Sequence, residues 1–261
     1  MNLDNGLWIG SLLAEAALVG FLSYRRAWRT IPVFLSFCAW EVLSSSTAFF
    51  VLRSFPNNYP LYYLFESIIG SILEFGVLVE LAWSVLRPIR TSLPRRTPFV
   101  IAIVLLVLGA AIWPFSGLQS FATLPPAFGA IAHVQQTTSL LRILFFVALA
   151  GCSQFLSIGW RDRELQVATG LGFYSLASLA SAMLHTHQSN WMQWVHLNQV
   201  LIGIYILVLA YWSFCFSQKE AERREFTPQM QNLLLAVAGV ARAERTALAA
   251  SSGAQRGPKD Q

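Results

Sequence analysis

Charged side chains are scarce in this chain. Only 12% of its 261 residues are Asp, Glu, Lys or Arg, about half the share found in soluble domains, while 55% are hydrophobic. The mean hydropathy is high, at +0.53. This composition excludes a disordered chain and argues against a water-soluble globule. It predicts an all-α, polytopic membrane protein embedded in a lipid bilayer.

Lysine is nearly absent, and motifs for enzymatic chemistry are missing. The first lysine is Lys219, which lies beyond the last long apolar run. A covalent retinal needs a lysine within a helix, so that cofactor is excluded. The sequence contains no Gly-rich phosphate loop, no HExxH and no GxSxG. We therefore predict that the protein is not an enzyme and needs no cofactor, and a bound metal or haem is the alternative.

Seven apolar runs are long enough, or nearly so, to cross a bilayer, which takes about 20 residues. They cover residues 7–23, 31–52, 61–86, 99–113, 138–158, 165–185 and 191–217. The sequence thus predicts a seven-transmembrane-helix bundle over residues 1–218, followed by a tail at 219–261. Apolar positions in the tail recur at helical spacing over about 228–249, which predicts an amphipathic helix on the membrane surface.

The basic residues are distributed very unevenly between the two sides of this bundle. Sixteen of the 18 Lys and Arg residues fall after the first, third, fifth and seventh runs. Only Arg53 and Arg142 are expected on the other side. The positive-inside rule then places the N-terminus outside and the C-terminus in the cytoplasm. The basic pI reflects topology and attraction to anionic lipid, so we predict no nucleic-acid partner.

Cysteine is rare, with three residues in all. Cys38, Cys152 and Cys215 each fall in the cytoplasmic half of a predicted helix, and no two form a CxxC pair. Disulfides are improbable in that compartment. These cysteines are therefore interpreted as small core residues.

Four glutamates lie at bilayer depth: Glu15, Glu41, Glu66 and Glu74. A charge there costs about 2.5–3.5 kcal/mol on insertion scales, so each needs a role. No Lys or Arg is expected at the shared depth of Glu15, Glu41 and Glu74, which predicts neutral, hydrogen-bonded carboxyls or a wet cavity. Glu80 lies nearer the basic side, where Arg87 is its expected partner. The four glutamates are the candidate ligand or proton-pathway residues, and the alternative is structural bonding between helices.

Histidines are expected on the outer side of the bundle. His133 falls in the loop before the fifth run, His185 and His187 lie at the end of the sixth, and His196 lies about one and a half turns into the seventh. With Glu66 at matching depth, the last three form a candidate metal site, for zinc or a similar ion. Paired histidines on adjacent helices are also able to hold a haem. The alternative is an ordinary interfacial belt.

These features predict a sensor- or receptor-like seven-helix protein of the cell membrane, typical of a bacterial inner membrane. A small ligand would enter from the outer side among helices three, five, six and seven. The tail would pass the signal to a cytoplasmic or membrane protein partner. One alternative is a transport or redox subunit that uses the glutamates and histidines for protons, metal or haem. Another is a scaffold subunit of a membrane complex.

Overall fold

The structure is a computed structural model that describes residues 3–86, 96–116, 126–151, 162–186 and 191–218. Within these ranges every long element is an α-helix. The helices are α1 (Leu3–Tyr24), α2 (Pro32–Ser54), α3 (Tyr59–Val85), α4 (Thr97–Ser116), α5 (Pro126–Gly151), α6 (Arg163–Thr186) and α7 (Trp191–Ser217). All seven contain a stretch long and apolar enough to cross a membrane. The prediction of seven apolar helices is confirmed.

Six of the helices form a closed ring in the order α1, α2, α3, α5, α6, α7, with α7 packed back against α1. Helix α4 is not part of this ring and packs against α3 and α5. Its side chains are apolar on every face and mostly exposed, as Phe99 and Leu106 illustrate. A helix that is apolar all round and exposed is suited to contact with lipid.

Most helix ends fall close to the predicted ones, but α5 differs. The sequence placed its start at residue 138, whereas the helix begins at Pro126 and includes His133, which was expected in a loop. The stretch just before residue 138 contains Gln135, Gln136 and Thr137, and these polar residues hid the helix from a hydropathy reading. Residues 152–158, the predicted end of this helix, and the tail at 219–261 lie outside the described residues.

A dense apolar core closes one end of the bundle. This end, where α1, α3 and α7 end and α2 and α6 begin, is called the basic end because arginines such as Arg25 and Arg163 lie there. Its core includes Leu18, Phe34 and Leu165, which have no exposed surface. Cys38 and Cys215 are also buried at this end, and Cys152 lies outside the described residues. The packing leaves the opposite end as the only place for a large opening within the ring as described.

Polar contacts tie the helix ends together at the basic end. Both carboxylate oxygens of Glu80 accept backbone N–H bonds at the start of α2, from Val33 at 2.9 Å and Phe34 at 2.8 Å. The expected partner, Arg87, is outside the described residues, so the Glu80–Arg87 pair stays a prediction beside this helix cap. A carboxylate there satisfies free N–H groups and the positive end of the helix dipole.

The end of α7 is held by two arginines from other parts of the chain. Arg25 donates to the carbonyl oxygen of Ser217 at 2.8 Å. Arg163 donates to the carbonyl oxygens of Cys215 and Gln218, and its guanidinium lies over the ring of Phe216. Cations at a helix C-terminus satisfy its free carbonyls and stabilise the dipole.

Candidate functional site

The ring encloses a cavity of about 340 Å³. All six ring helices contribute to its wall, and α4 contributes none among the described residues. The polar and aromatic part of the wall comprises Ser11, Glu15, Trp40, Glu41, Ser45, Tyr63, Glu66, Ser67, Ser71, Glu74, Gln135, Arg142, Tyr174, Tyr205 and Trp212. The volume lies within the range of about 300–1,000 Å³ that is typical of small-molecule sites.

The four glutamates singled out from the sequence all line this one cavity. Glu15 comes from α1, Glu41 from α2, and Glu66 and Glu74 from α3. The two on α3 are eight residues apart, which separates them by only about 80° around the helix axis. Three neighbouring helices thus direct four carboxyl groups toward the same space.

One sequence prediction about these acids is wrong. Arg142 donates from Nη1 to Oε1 of Glu74 at 2.7 Å, and this ion pair is shielded, with 6% of the arginine side chain and 19% of the glutamate side chain exposed. Arg142 also donates to the hydroxyl of Ser139 at 3.1 Å. Glu74 therefore has a basic partner at its own depth, where none was expected.

The position of Arg142 follows from the early start of α5. Arg142 lies 16 residues beyond Pro126, about 24 Å along the helix axis, and Glu74 lies 15 residues beyond Tyr59, about 22 Å along α3. A helix beginning at residue 138 would have placed the same arginine at the membrane surface. The two side chains meet because α3 and α5 are parallel neighbours of matching depth.

The other three carboxyls are bordered by hydroxyl groups and by one another. Glu15 is 4% exposed and interacts with the hydroxyls of Tyr205 and Ser45. Glu66 interacts with the hydroxyl of Ser44. Glu41 lies within electrostatic range of the other three glutamates and of Arg142. One guanidinium thus faces four carboxyl groups in the cavity wall.

Aromatic side chains complete the wall, and sequence reasoning missed them. Six line the cavity: Phe37, Trp40, Tyr63, Tyr174, Tyr205 and Trp212. The rings of Tyr174 and Tyr205 are 5.3 Å apart. Aromatic residues make up 13% of the chain and occur in every helix, so only the three-dimensional arrangement distinguishes these six. Aromatic faces attract cations as well as apolar groups.

Four buried polar atoms of the wall have no hydrogen-bond partner among the described residues. They are Oε2 of Glu15, Nε1 of Trp40, Nε of Arg142 and Nε1 of Trp212. Buried polar atoms are nearly always bonded to protein, water or ligand. All four atoms belong to residues that line the cavity.

The cavity is closed toward the basic end. Phe37, Leu171 and Trp212 belong both to its wall and to the apolar core, so they form its floor. The wall also reaches Tyr63, one turn from the start of α3, whose side chain is 36% exposed. Access from the bundle surface therefore lies at the end opposite the basic end.

The predicted histidine site stays a prediction, because His196 is the one member of its three histidines whose side chain the structure describes. His196 is exposed, and its Nδ1 lies 3.3 Å from Oε1 of Gln199. His187 and the side chain of His185 lie outside the described residues. His133 stacks on Trp113 with ring centroids 4.1 Å apart. Among the described residues, no group of three metal-ligating side chains is suitably placed for an ion.

The fold and cavity define an all-helical protein with seven helices long and apolar enough to span a membrane, as in an integral membrane protein. No protein-family model, curated protein or solved structure matches the chain. The function must therefore be argued from the chemistry of the cavity itself.

Proposed function

We propose that this is a multi-pass membrane protein of sensor or receptor type that binds a small organic cation in the ring cavity. The observation that carries the proposal is the composition of the wall, in which four carboxyl groups and six aromatic rings face a single guanidinium. That guanidinium is engaged by Glu74. Glu15, Glu41 and Glu66 remain for a cationic ligand.

An ammonium group suits this wall better than an anion or a neutral polar molecule. A carboxylate in a poorly solvated cavity attracts a cation more strongly than it does in water. The rings of Trp40, Tyr174 and Tyr205 offer electron-rich faces to the alkyl groups of an ammonium ion. An anionic ligand would instead meet three carboxyl groups that form no ion pair with the described residues.

The closed floor favours binding and signalling over free passage. Trp212 forms part of the floor and belongs to α7, whose end is held by Arg25 and Arg163. A ligand that pushes on Trp212 would shift α7 relative to these arginines. We propose that the basic end lies on the cytoplasmic side of the cell membrane and that the tail transmits this shift to a partner protein. Binding is proposed to involve no catalysis.

Choline offers a direct test of the cation site. The purified protein in lipid nanodiscs would be titrated with choline and with the neutral alcohol in which carbon replaces the choline nitrogen. We expect saturable binding of choline, with the neutral analogue about tenfold weaker or undetectable, because only the charge differs. Equal binding of both compounds, or of neither, would refute the proposal.

Matched variants locate the binding within the ring. Glu41→Gln and Glu66→Gln keep the shape of each side chain and remove its charge, so each should weaken choline binding about tenfold. Glu80→Gln changes a membrane acid on α3 that lies outside the cavity wall and serves as the control. Loss of choline affinity in the control alone would show that the cation binds elsewhere.

Cation or proton transport is a second candidate, favoured by a specific observation. A small void of about 10 Å³, room for about one water molecule, lies beside the floor between Glu15, Glu41, Cys38 and Tyr205. Carboxyls and a phenol around such a void are suitable for passing a proton. Proteoliposomes containing a pH-sensitive dye would show proton flux in the parent and none in Glu41→Gln. Proteoliposomes of the parent protein that show no proton flux would exclude this candidate.

A histidine-held metal or haem stays a prediction that the described residues do not address. Protein produced with iron, zinc and haem supplied would be examined for a Soret band and for stoichiometric metal. Occupancy that falls when His185, His187 or His196 is replaced by Ala would support the redox alternative. Protein free of both metal and haem would exclude it.

A further inference from the structure

We propose that the ligand is amphiphilic, with a cationic head in the ring cavity and a hydrocarbon chain in a membrane-facing groove between α3, α4 and α5. The two parts of the molecule would be joined through a gap between α3 and α5. The inference rests on the proposed cation site for the position of the head. It adds a second compartment, which determines the class of ligand.

Two polar bridges between α3 and α5 frame this gap. The amide of Gln135 donates to the hydroxyl of Ser67 at 3.3 Å, and Arg142 pairs with Glu74. Both bridges join residues 68 positions apart, so the two helices are parallel and in register. The bridges are seven residues apart on each helix, which corresponds to about 10 Å along the axis.

Small side chains occupy the register positions between the bridges. Gly70 and Ser71 lie on α3, and the same offset places Thr138 and Ser139 opposite them on α5. Ser71 lines the ring cavity on one side and the groove on the other. The guanidinium of Arg142 bonds to Ser139, so the proposed passage lies beside Gly70 and Ser71, where an added first side-chain atom at Gly70 would meet nothing within 4 Å.

The groove itself is apolar and encloses about 610 Å³. The hydroxyls of Thr137 and Thr138 in its wall bond to carbonyls of their own helix, so they present little polarity to an occupant. Leu105 and Leu141 close the groove toward the basic end, where they pack together in a small core cluster. A hydrocarbon chain is the occupant that such a surface accepts within a membrane span.

The position of the groove relative to the charges argues for a chain attached to a cation. Ser71 also borders the polar ring cavity, whose wall includes the ion pair of Glu74 and Arg142 one turn closer to the basic end. A chain alone would leave that opening unused, and a head alone would leave the groove to bulk lipid. A single-chain alkylammonium fills both compartments. Only its narrow methylene chain lies in the passage beside Ser71.

The test uses decyltrimethylammonium with a photoreactive diazirine near the end of its chain. The full-length protein in nanodiscs would be irradiated and the labelled residues identified by mass spectrometry. We expect labels on groove residues of α4 such as Leu106, at least about tenfold above those on the lipid-facing Leu207 of α7. Excess choline should abolish the groove labelling, since it competes for the head position.

Two glycine variants provide a matched comparison. A side chain at Gly109 has open space around its first atom and would project into the groove, so Gly109→Leu should remove the groove labelling. Gly203 also has open space around an added first side-chain atom, but it lies on α7 away from the groove. Gly203→Leu should therefore show the same groove labelling as the parent.

The outcomes separate this inference from the cation site. Binding of choline together with even labelling of lipid-facing residues would overturn the amphiphile and leave the cation site intact. Groove labelling that persists in Gly109→Leu would also overturn it. Failure of choline to bind would refute the proposed function and the head position with it, whereas choline that binds without competing would overturn the amphiphile alone. Groove labelling that choline and Gly109→Leu both abolish supports the amphiphilic ligand.

Discussion

The ion pair between Arg142 and Glu74 gives the sharpest prediction about stability. Replacing Arg142 by Met keeps most of the length of the side chain but removes its charge. The variant leaves the carboxylate of Glu74, whose side chain is only 19% exposed, without its basic partner at 2.7 Å. Removing one member of a buried pair is strongly destabilising because the remaining charge is uncompensated.

The size of the effect follows from the burial of both partners. With 6% of Arg142 exposed, we expect Arg142→Met to lower the free energy of unfolding by about 3–5 kcal/mol. The double variant Arg142→Met/Glu74→Gln no longer contains a buried charge at this site. It should recover about 2 kcal/mol relative to Arg142→Met, which is within the usual range of coupling between contacting residues.

The measurement is a four-member mutant cycle of the parent, both single variants and the double variant. Reversible unfolding in mixed micelles would give the free energy of unfolding of each protein, with intrinsic tryptophan fluorescence as the probe. A double variant that loses the full sum of the single losses would show that the two side chains do not interact. An Arg142→Met variant as stable as the parent would refute the buried position of this arginine.

Three further predictions concern other parts of the bundle. Glu80→Ala removes both acceptors at the start of α2 and should cost about 1–2 kcal/mol of stability, measured by thermal unfolding, with Glu80→Gln intermediate. Gly170→Ala would bring a methyl group into the indole of Trp212, so it should lower stability by about 1–3 kcal/mol and weaken choline binding, whereas Gly203→Ala should do neither. An alkaline phosphatase fused after Gln261 should be inactive in cells, because the distribution of basic residues places this end in the cytoplasm; full activity would reverse the proposed orientation.

The membrane helices and the acidic residues of the site were predictable from the sequence for the same physical reason. Water-free surroundings penalise charge, so long runs without charge indicate helices, and each acid within such a run is conspicuous. Glu15, Glu41, Glu66 and Glu74 were identified in this way. Their convergence on one cavity depends on the order of helices around the ring, which hydropathy does not encode.

The partner of Glu74 was missed for a local reason. Polar residues from His133 to Thr138 interrupt the apolar pattern near the start of α5, so its start was placed 12 residues late and Arg142 was assigned to the surface. The aromatic wall was missed for a different reason, because Trp40 and Tyr205 have many equivalents along the other helices. The ion pair becomes visible only when α3 and α5 are known to be parallel neighbours, and the aromatic wall only when the order of helices around the ring is known.

That parallel arrangement has a consequence for the order of events during synthesis. Adjacent parallel helices need a return crossing between them, and α4 provides it. Glu74 leaves the ribosome 68 residues before Arg142. At about 5–20 residues per second this interval lasts about 3–14 s. During this interval the carboxyl group of Glu74 lies beside the translocation machinery or in the bilayer without its partner Arg142. The assembly of α3 into the ring is therefore complete only after α5 has been synthesised.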